Sequence, residues 1–143
     1  MLAQPEAHIV NISSLFGIVG VKEQVPYCTT KFAVRGFTEA LRMELRGTGV
    51  STTCVHPGGI DTNIVRNGIH YDSPDKVDEL VEKFHTKAGR TSPREAARQI
   101  IDAIQTKKEK LLIGIDAKAG DQLARTLPVG YTDIIMRIFD RVV

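Results

Sequence analysis

The chain has 143 residues, enough for one domain with a buried core. Hydrophobic residues make up 42% and charged residues 25%, an ordinary globular balance. A net charge of +2 is too small to argue for nucleic acid, and the one basic cluster (Lys107, Lys108 and Lys110 around Glu109) reads as a solvated turn. No apolar run reaches the length of a membrane-spanning helix. The opening MLAQPEAH is neither basic nor apolar enough for a signal peptide, so the cytoplasm is the expected compartment. Cys28 and Cys54 lack metal-ligand spacing and read as buried thiols in a reducing compartment.

Taken in chain order, the elements alternate. Residues 8–13 are a short apolar run that predicts a buried strand. Residues 15–25 read as a loop with Gly17 and Gly20. Pro26 suits the first turn of a helix reaching about Arg46. In that helix Ala33, Phe37, Ala40, Leu41 and Leu45 recur at helical spacing. Arg35 and Glu39 should pair on its outer face, and Gly47 and Gly49 end it. Residues 50–55 predict a second strand, followed by His56, Pro57, Gly58 and Gly59. Residues 60–73 are polar and irregular, and Ser73-Pro74 opens a helix to about Lys87. Ser92-Pro93-Arg94-Glu95 is a strong helix start, with a Ser cap and Glu three residues on. Ala96, Ala97, Ile100, Ile101 and Ile104 are expected to point inward from that helix. A third strand is predicted over 111–115, then helices over 117–126 and 133–142.

Strands alternating with helices predict an α/β fold with crossover connections and a parallel sheet. Parallel strands need cover on both faces, and three strands are few for that architecture. The expectation is therefore a partial sheet, with the first two strands bordering a part outside this sequence.

Three groups carry the chemistry. Tyr27 and Lys31 stand one helical turn apart and share a helix side. An ammonium beside a phenol favours its ionised form, and such a phenol can exchange a proton with a substrate oxygen. Alone, this pair is better read as a surface Tyr packed on a Lys stem. Ser14 ends the first strand, at the carboxyl edge where parallel sheets place ligands. Its hydroxyl could bond the same oxygen, or simply cap a turn beside Ser13. At the end of the second strand, Pro57-Gly58-Gly59-Ile60-Asp61-Thr62 allows close backbone approach. Free amides there, with the Thr62 hydroxyl, would suit amide or phosphate oxygens. His56 reads as a packed or solvated strand-end residue rather than a catalytic one.

The blocks NISSLFG, YCTTK, FAVRGFTEALRMEL and VHPGGIDT, in this order and spacing, resemble the short-chain dehydrogenase/reductase family. The resemblance is contiguous over about residues 8–65 and weaker to 115. It implies a doubly wound, Rossmann-like sheet and hydride transfer between NAD or NADP and a small-molecule carbonyl/alcohol pair. By resemblance Ser14 polarises the substrate oxygen and Tyr27 is the general acid/base. Lys31 favours the ionised phenol and holds the nicotinamide ribose. Pro57, Gly58, Ile60 and Thr62 touch the nicotinamide amide and the pyrophosphate. The family's glycine-rich phosphate loop, its Asn-Asn-Ala-Gly block and its catalytic Asn have no counterpart in the sequence, and neither does the residue choosing NAD or NADP. Residues 1–143 therefore read as one partial dinucleotide-binding domain, the C-terminal half of such an enzyme. The alternative is a non-catalytic remnant or interaction module of the same fold.

The resemblance also places a substrate lid over 64–91, with Tyr71, Val81 and Phe84 as apolar contacts, against the equal alternative of a surface helical excursion, and a homo-oligomer contact on the 27–46 helix. The C-terminal TDIIMRIFDRVV reads as an amphipathic helix with Ile134, Ile135, Ile138, Phe139 and Val142 on one side. A core or subunit contact is the favoured reading, and a membrane-surface anchor the alternative. Its mixed charges argue against the membrane.

Overall fold

The computed structural model describes residues 2, 4–68, 74–83, 86 and 91–142. Three strands, β1 (Ala7–Ile12), β2 (Val50–Pro57) and β3 (Lys110–Ile113), form one parallel sheet in the order β1-β2-β3. The helices are α1 (Val25–Glu44), α2 (Pro74–Lys83), α3 (Pro93–Gln105), α4 (Ile115–Thr126) and α5 (Tyr131–Val142). A short 3-10 turn, Leu15–Gly17, follows β1. The α/β architecture and the parallel sheet match the sequence reading.

The sheet separates two apolar layers. On one face Val55, Leu111 and Ile113 pack with Ala96 and Ala103 of α3, joined by Val10, Ile60 and Ile100. On the other, Ile18, Val19 and Val21 pack with Leu112, Ala124, Tyr131 and Ile135, beneath α4 and α5. Leu111 and Ile113 face one layer and Leu112 the other, the alternation a strand imposes. The α1 helix lies against β1, β2 and the 3-10 turn.

Local signals explain the helix starts. Pro26 sits in the first turn of α1. Ser92 caps α3, its Oγ accepting the Glu95 amide at 3.2 Å. The Glu95 carboxylate binds Arg98 through two 2.8 Å bonds and Gln99 at 2.7 Å, so it turns along the helix. Arg35 and Glu39 pair at 2.9 Å as their spacing predicts.

Several expectations change. The strand over 111–115 stops at Ile113, because Gly114 takes a φ of 95° and Ile115 already begins α4. Of the first two strands only β1 lies at an edge, since β2 is hydrogen-bonded on both sides; β3 forms the opposite edge among the described residues. In α1, Ala33, Phe37 and Ala40 are exposed, and the sheet-facing positions carry Cys28 and Thr38 instead. Thr38 is buried because it accepts the Asn11 amide at 3.0 Å and donates to Val34 O at 2.6 Å. In α3 the packed stripe is Ala96, Ile100 and Ala103, four and three residues apart, and Ala97, Ile101 and Ile104 lie one step around the helix and are exposed. Val81, expected to face a substrate, is buried, while Tyr71 and Phe84 lie outside the described residues. Ile135 of α5 is in the core, Ile134 and Ile138 are exposed, and the Phe139 and Val142 side chains lie outside the description. No helix among the described residues is long and apolar enough to cross a membrane.

Candidate active site

The site gathers at the carboxyl ends of β1 and β2, the edge where open parallel sheets bind ligands. Ser13, at the end of β1, is clamped from two sides. Its amide donates to Val55 O at 2.8 Å, and its buried hydroxyl donates to the Lys31 carbonyl at 2.8 Å. Gly17 makes this close packing possible. A Cβ there would overlap Ser13 Oγ and lie 2.7 Å from the Lys31 carbonyl oxygen. The 3-10 turn can thus rest on the backbone of α1.

Ser14 stands next to this clamp in extended backbone, φ −163°. Its Oγ accepts the Phe16 amide at 3.1 Å, so it caps the 3-10 turn as its bland reading predicts. Capping uses a lone pair and leaves the hydroxyl's own proton as the group it can offer to a ligand oxygen. The Ser14 carbonyl bonds Nδ1 of His56 at 3.0 Å. A carbonyl only accepts, so Nδ1 carries the proton. His56 is 1% exposed, and burial holds its ring below the usual imidazole range despite the bond to Ser14. His56 is thus a neutral packed brace behind Ser14, the packed one of the two non-catalytic readings its sequence position allowed.

Tyr27 and Lys31 share one side of α1. The Lys31 Nζ lies 5.5 Å from the centre of the Tyr27 ring, a cation–π distance. It also donates to Ile12 O at 3.2 Å, which ties the ammonium to the end of β1. The Tyr27 ring meets Phe16 edge-on, with centroids 6.1 Å apart. Phe16 therefore bridges the site: its amide holds the Ser14 hydroxyl and its ring supports Tyr27.

The turn after β2 is more constrained than the sequence predicts. Three of its amides are already committed. Gly58 donates to Ile113 O at 2.9 Å, Gly59 to Oδ2 of Asp116 at 2.6 Å, and Asp61 to Thr91 O at 2.9 Å. Thr62 Oγ1 accepts the Ile64 amide at 3.4 Å, and Ile60 bridges to Thr91. Ser13, Phe16, Asp116 and Thr91 escape sequence reasoning, since each acts through a contact between distant segments. Cys28 and Cys54 are buried and free, and burial pushes the Cys54 thiol up, which keeps it protonated and unreactive. No cluster of metal-ligating side chains occurs among the described residues.

Ser14, Tyr27 and Lys31 thus stand near the carboxyl edge of a parallel α/β sheet. This chain belongs to the short-chain dehydrogenase family, whose sequence profile matches residues 1–71. SadH of Mycobacterium tuberculosis, a protein assigned as an oxidoreductase, is 42% identical over 137 residues, covering 94% of this chain and 49% of SadH. A short-chain dehydrogenase/reductase of Burkholderia phymatum, solved in complex with NAD, superimposes with a TM-score of 0.75 at 23% identity. It covers 92% of this chain and 52% of its own. A Burkholderia cenocepacia short-chain dehydrogenase, solved in complex with NADP, gives 0.70 at 22% identity, covering 91% and 47%. The chain spans about half the length of the relatives it matches.

Proposed function

We propose that this chain carries the catalytic half of an NAD(P)-dependent oxidoreductase interconverting a small-molecule carbonyl and its alcohol. The observation that carries the reading is the Lys31 ammonium 5.5 Å from the Tyr27 ring, anchored on the strand that ends at Ser14. Family membership and the oxidoreductase assignment of SadH support it. The groups present fit the nicotinamide end of a dinucleotide: a hydroxyl donor, a phenol, an ammonium and a glycine turn. Bound nicotinamide would supply the hydride to a carbonyl carbon, or accept it from an alcohol carbon.

The chain's own residues do the rest. Ser14 donates its proton toward the substrate oxygen and shares the charge that grows there. In reduction the Tyr27 phenol gives its proton to that oxygen, and in oxidation the phenolate takes it back. Lys31, fixed by Ile12 O, stabilises the phenolate and reaches the nicotinamide ribose. Pro57, Gly58, Ile60 and Thr62 line the nicotinamide amide and the pyrophosphate. The phosphate-binding half docks on the open edge of β1, as one more parallel strand. Two buried free thiols fit a reducing compartment, the cytoplasm.

The exposed face of α1 supports a homo-oligomer. On α1, Phe37 is 60% exposed and Met43 67%, apolar surface a subunit contact could cover.

Titrating the protein into NADH and NADPH, following nicotinamide fluorescence with and without a test ketone, tests the reading. Saturable binding with ketone-dependent loss of reduced cofactor is expected. A protein that binds neither nucleotide is instead a non-catalytic module of the same fold.

A further inference from the structure

One carboxylate locks the turn after β2. Asp116, in the first turn of α4, accepts the Gly59 amide on Oδ2 at 2.6 Å, across 57 residues of sequence. The same carboxylate occupies the space beside two glycines. A Cβ on Gly58 would overlap its carboxyl atoms. A Cβ on Gly114 would also meet Asp116 Oδ1, and Gly114 holds a φ of 95°, the region that favours glycine. Gly58 in turn donates to Ile113 O at 2.9 Å, and Thr91 closes the far side through Gly59 O and the Asp61 amide.

The arrangement has a physical logic. A carboxylate accepts hydrogen bonds only, so a backbone N–H is its natural partner, and the charged bond is stronger than a neutral one. The N-terminal turn of α4 favours a negative group at that place. A plain turn at the end of β2 would need none of this. The two glycines instead let an acidic side chain from beyond β3 reach under the turn and fix it from below.

We propose that Asp116 is the positioning residue of the nicotinamide-facing turn, holding Gly58 and Gly59 so that Pro57, Ile60 and Thr62 keep one presentation toward the cofactor. The inference rests on the oxidoreductase reading above. It assigns Asp116 to cofactor affinity rather than to proton transfer, because it contacts only the turn and α4 in the interactions described. Asp116→Asn keeps the shape and one acceptor oxygen, while Asp116→Ala removes both.

Amide hydrogen exchange at Gly59, read alongside NADH and NADPH dissociation constants, separates the two ideas. In the full chain, Asp116→Ala should speed Gly59 exchange at least about tenfold and weaken nicotinamide binding about tenfold to a hundredfold. Asp116→Asn should restore most of both, and Gly58→Ala should reproduce the binding loss by colliding with the carboxylate. Unchanged Gly59 exchange in Asp116→Ala overturns the lock. Faster exchange with unchanged binding overturns its role toward the cofactor. A wild-type chain that protects Gly59 in an Asp116-dependent way but binds neither nucleotide overturns the oxidoreductase reading, and with it the cofactor role, while leaving the lock established.

Discussion

His56 holds the carbonyl of Ser14 at 3.0 Å from a position that is 1% exposed. The brace runs from the central strand to the residue proposed to meet substrate, and it requires a neutral ring with its proton on Nδ1. Burial lowers the ring's proton affinity, and so does the positive charge of Lys110.

Stability should therefore depend on pH in a defined direction. The unfolded chain protonates its histidines near the ordinary value of about 6.5. Folded His56 resists protonation, so the unfolded state binds more protons below that pH. Stability is full above about 6.5 and falls as the pH drops below it. His8 adds to the slope in the same sense, since burial and Lys107 lower it too. Urea midpoints between neutral and mildly acid pH should shift down in the wild type and less in His56→Gln. An equal pH dependence in both proteins would show that His56 is not the source.

Ser14→Ala separates capping from catalysis. Loss of the cap to Phe16 should cost about 1 kcal/mol, a modest change in Tm. Loss of the donor to the substrate oxygen should lower kcat about a hundredfold or more. If thermal melting and turnover fall only in proportion to the unfolded fraction, Ser14 is a cap and nothing else.

Gly17→Ala should damage both fold and site. The new methyl would overlap Ser13 Oγ and press on the Lys31 carbonyl. Relief requires moving the 3-10 turn off α1, at about 1–3 kcal/mol. That motion also separates Ser14 from Tyr27 and Lys31, so ketone turnover per folded molecule should drop. Gly20→Ala, with nothing within 4 Å of the added atom, is the control and should match wild type in both.

Phe37→Asp probes the outer face of α1. Phe37 is 60% exposed and makes no part of the apolar layers. The substitution should shift sedimentation-equilibrium profiles toward the monomer without lowering Tm. Identical molecular weights for the two proteins would remove α1 from the oligomer contact.

The order of strands and helices was legible because apolar runs alternate with helical periodicity, and crossover chirality leaves few arrangements. The Ser14, Tyr27 and Lys31 set could be proposed from the sequence because its spacing is local to one strand–loop–helix unit. The packed stripe of α1 was not. Its sheet-facing side buries Thr38 through a bond to Asn11, and a hydropathy pattern ranks Thr38 below the exposed Phe37. The Gly59–Asp116 bond was hidden for a different reason: it joins the turn after β2 to the first turn of α4, and no periodicity reports a contact across that distance.

Single-turnover hydride transfer in Tyr27→Phe is the most direct test. Phenylalanine keeps the ring against Phe16 and beneath the Lys31 ammonium, and removes only the oxygen. The transfer rate should fall about a hundredfold to ten-thousandfold, with nicotinamide affinity changed by no more than about threefold. A Tyr27→Phe protein that transfers hydride at the wild-type rate would contradict the assignment of Tyr27 as the proton donor.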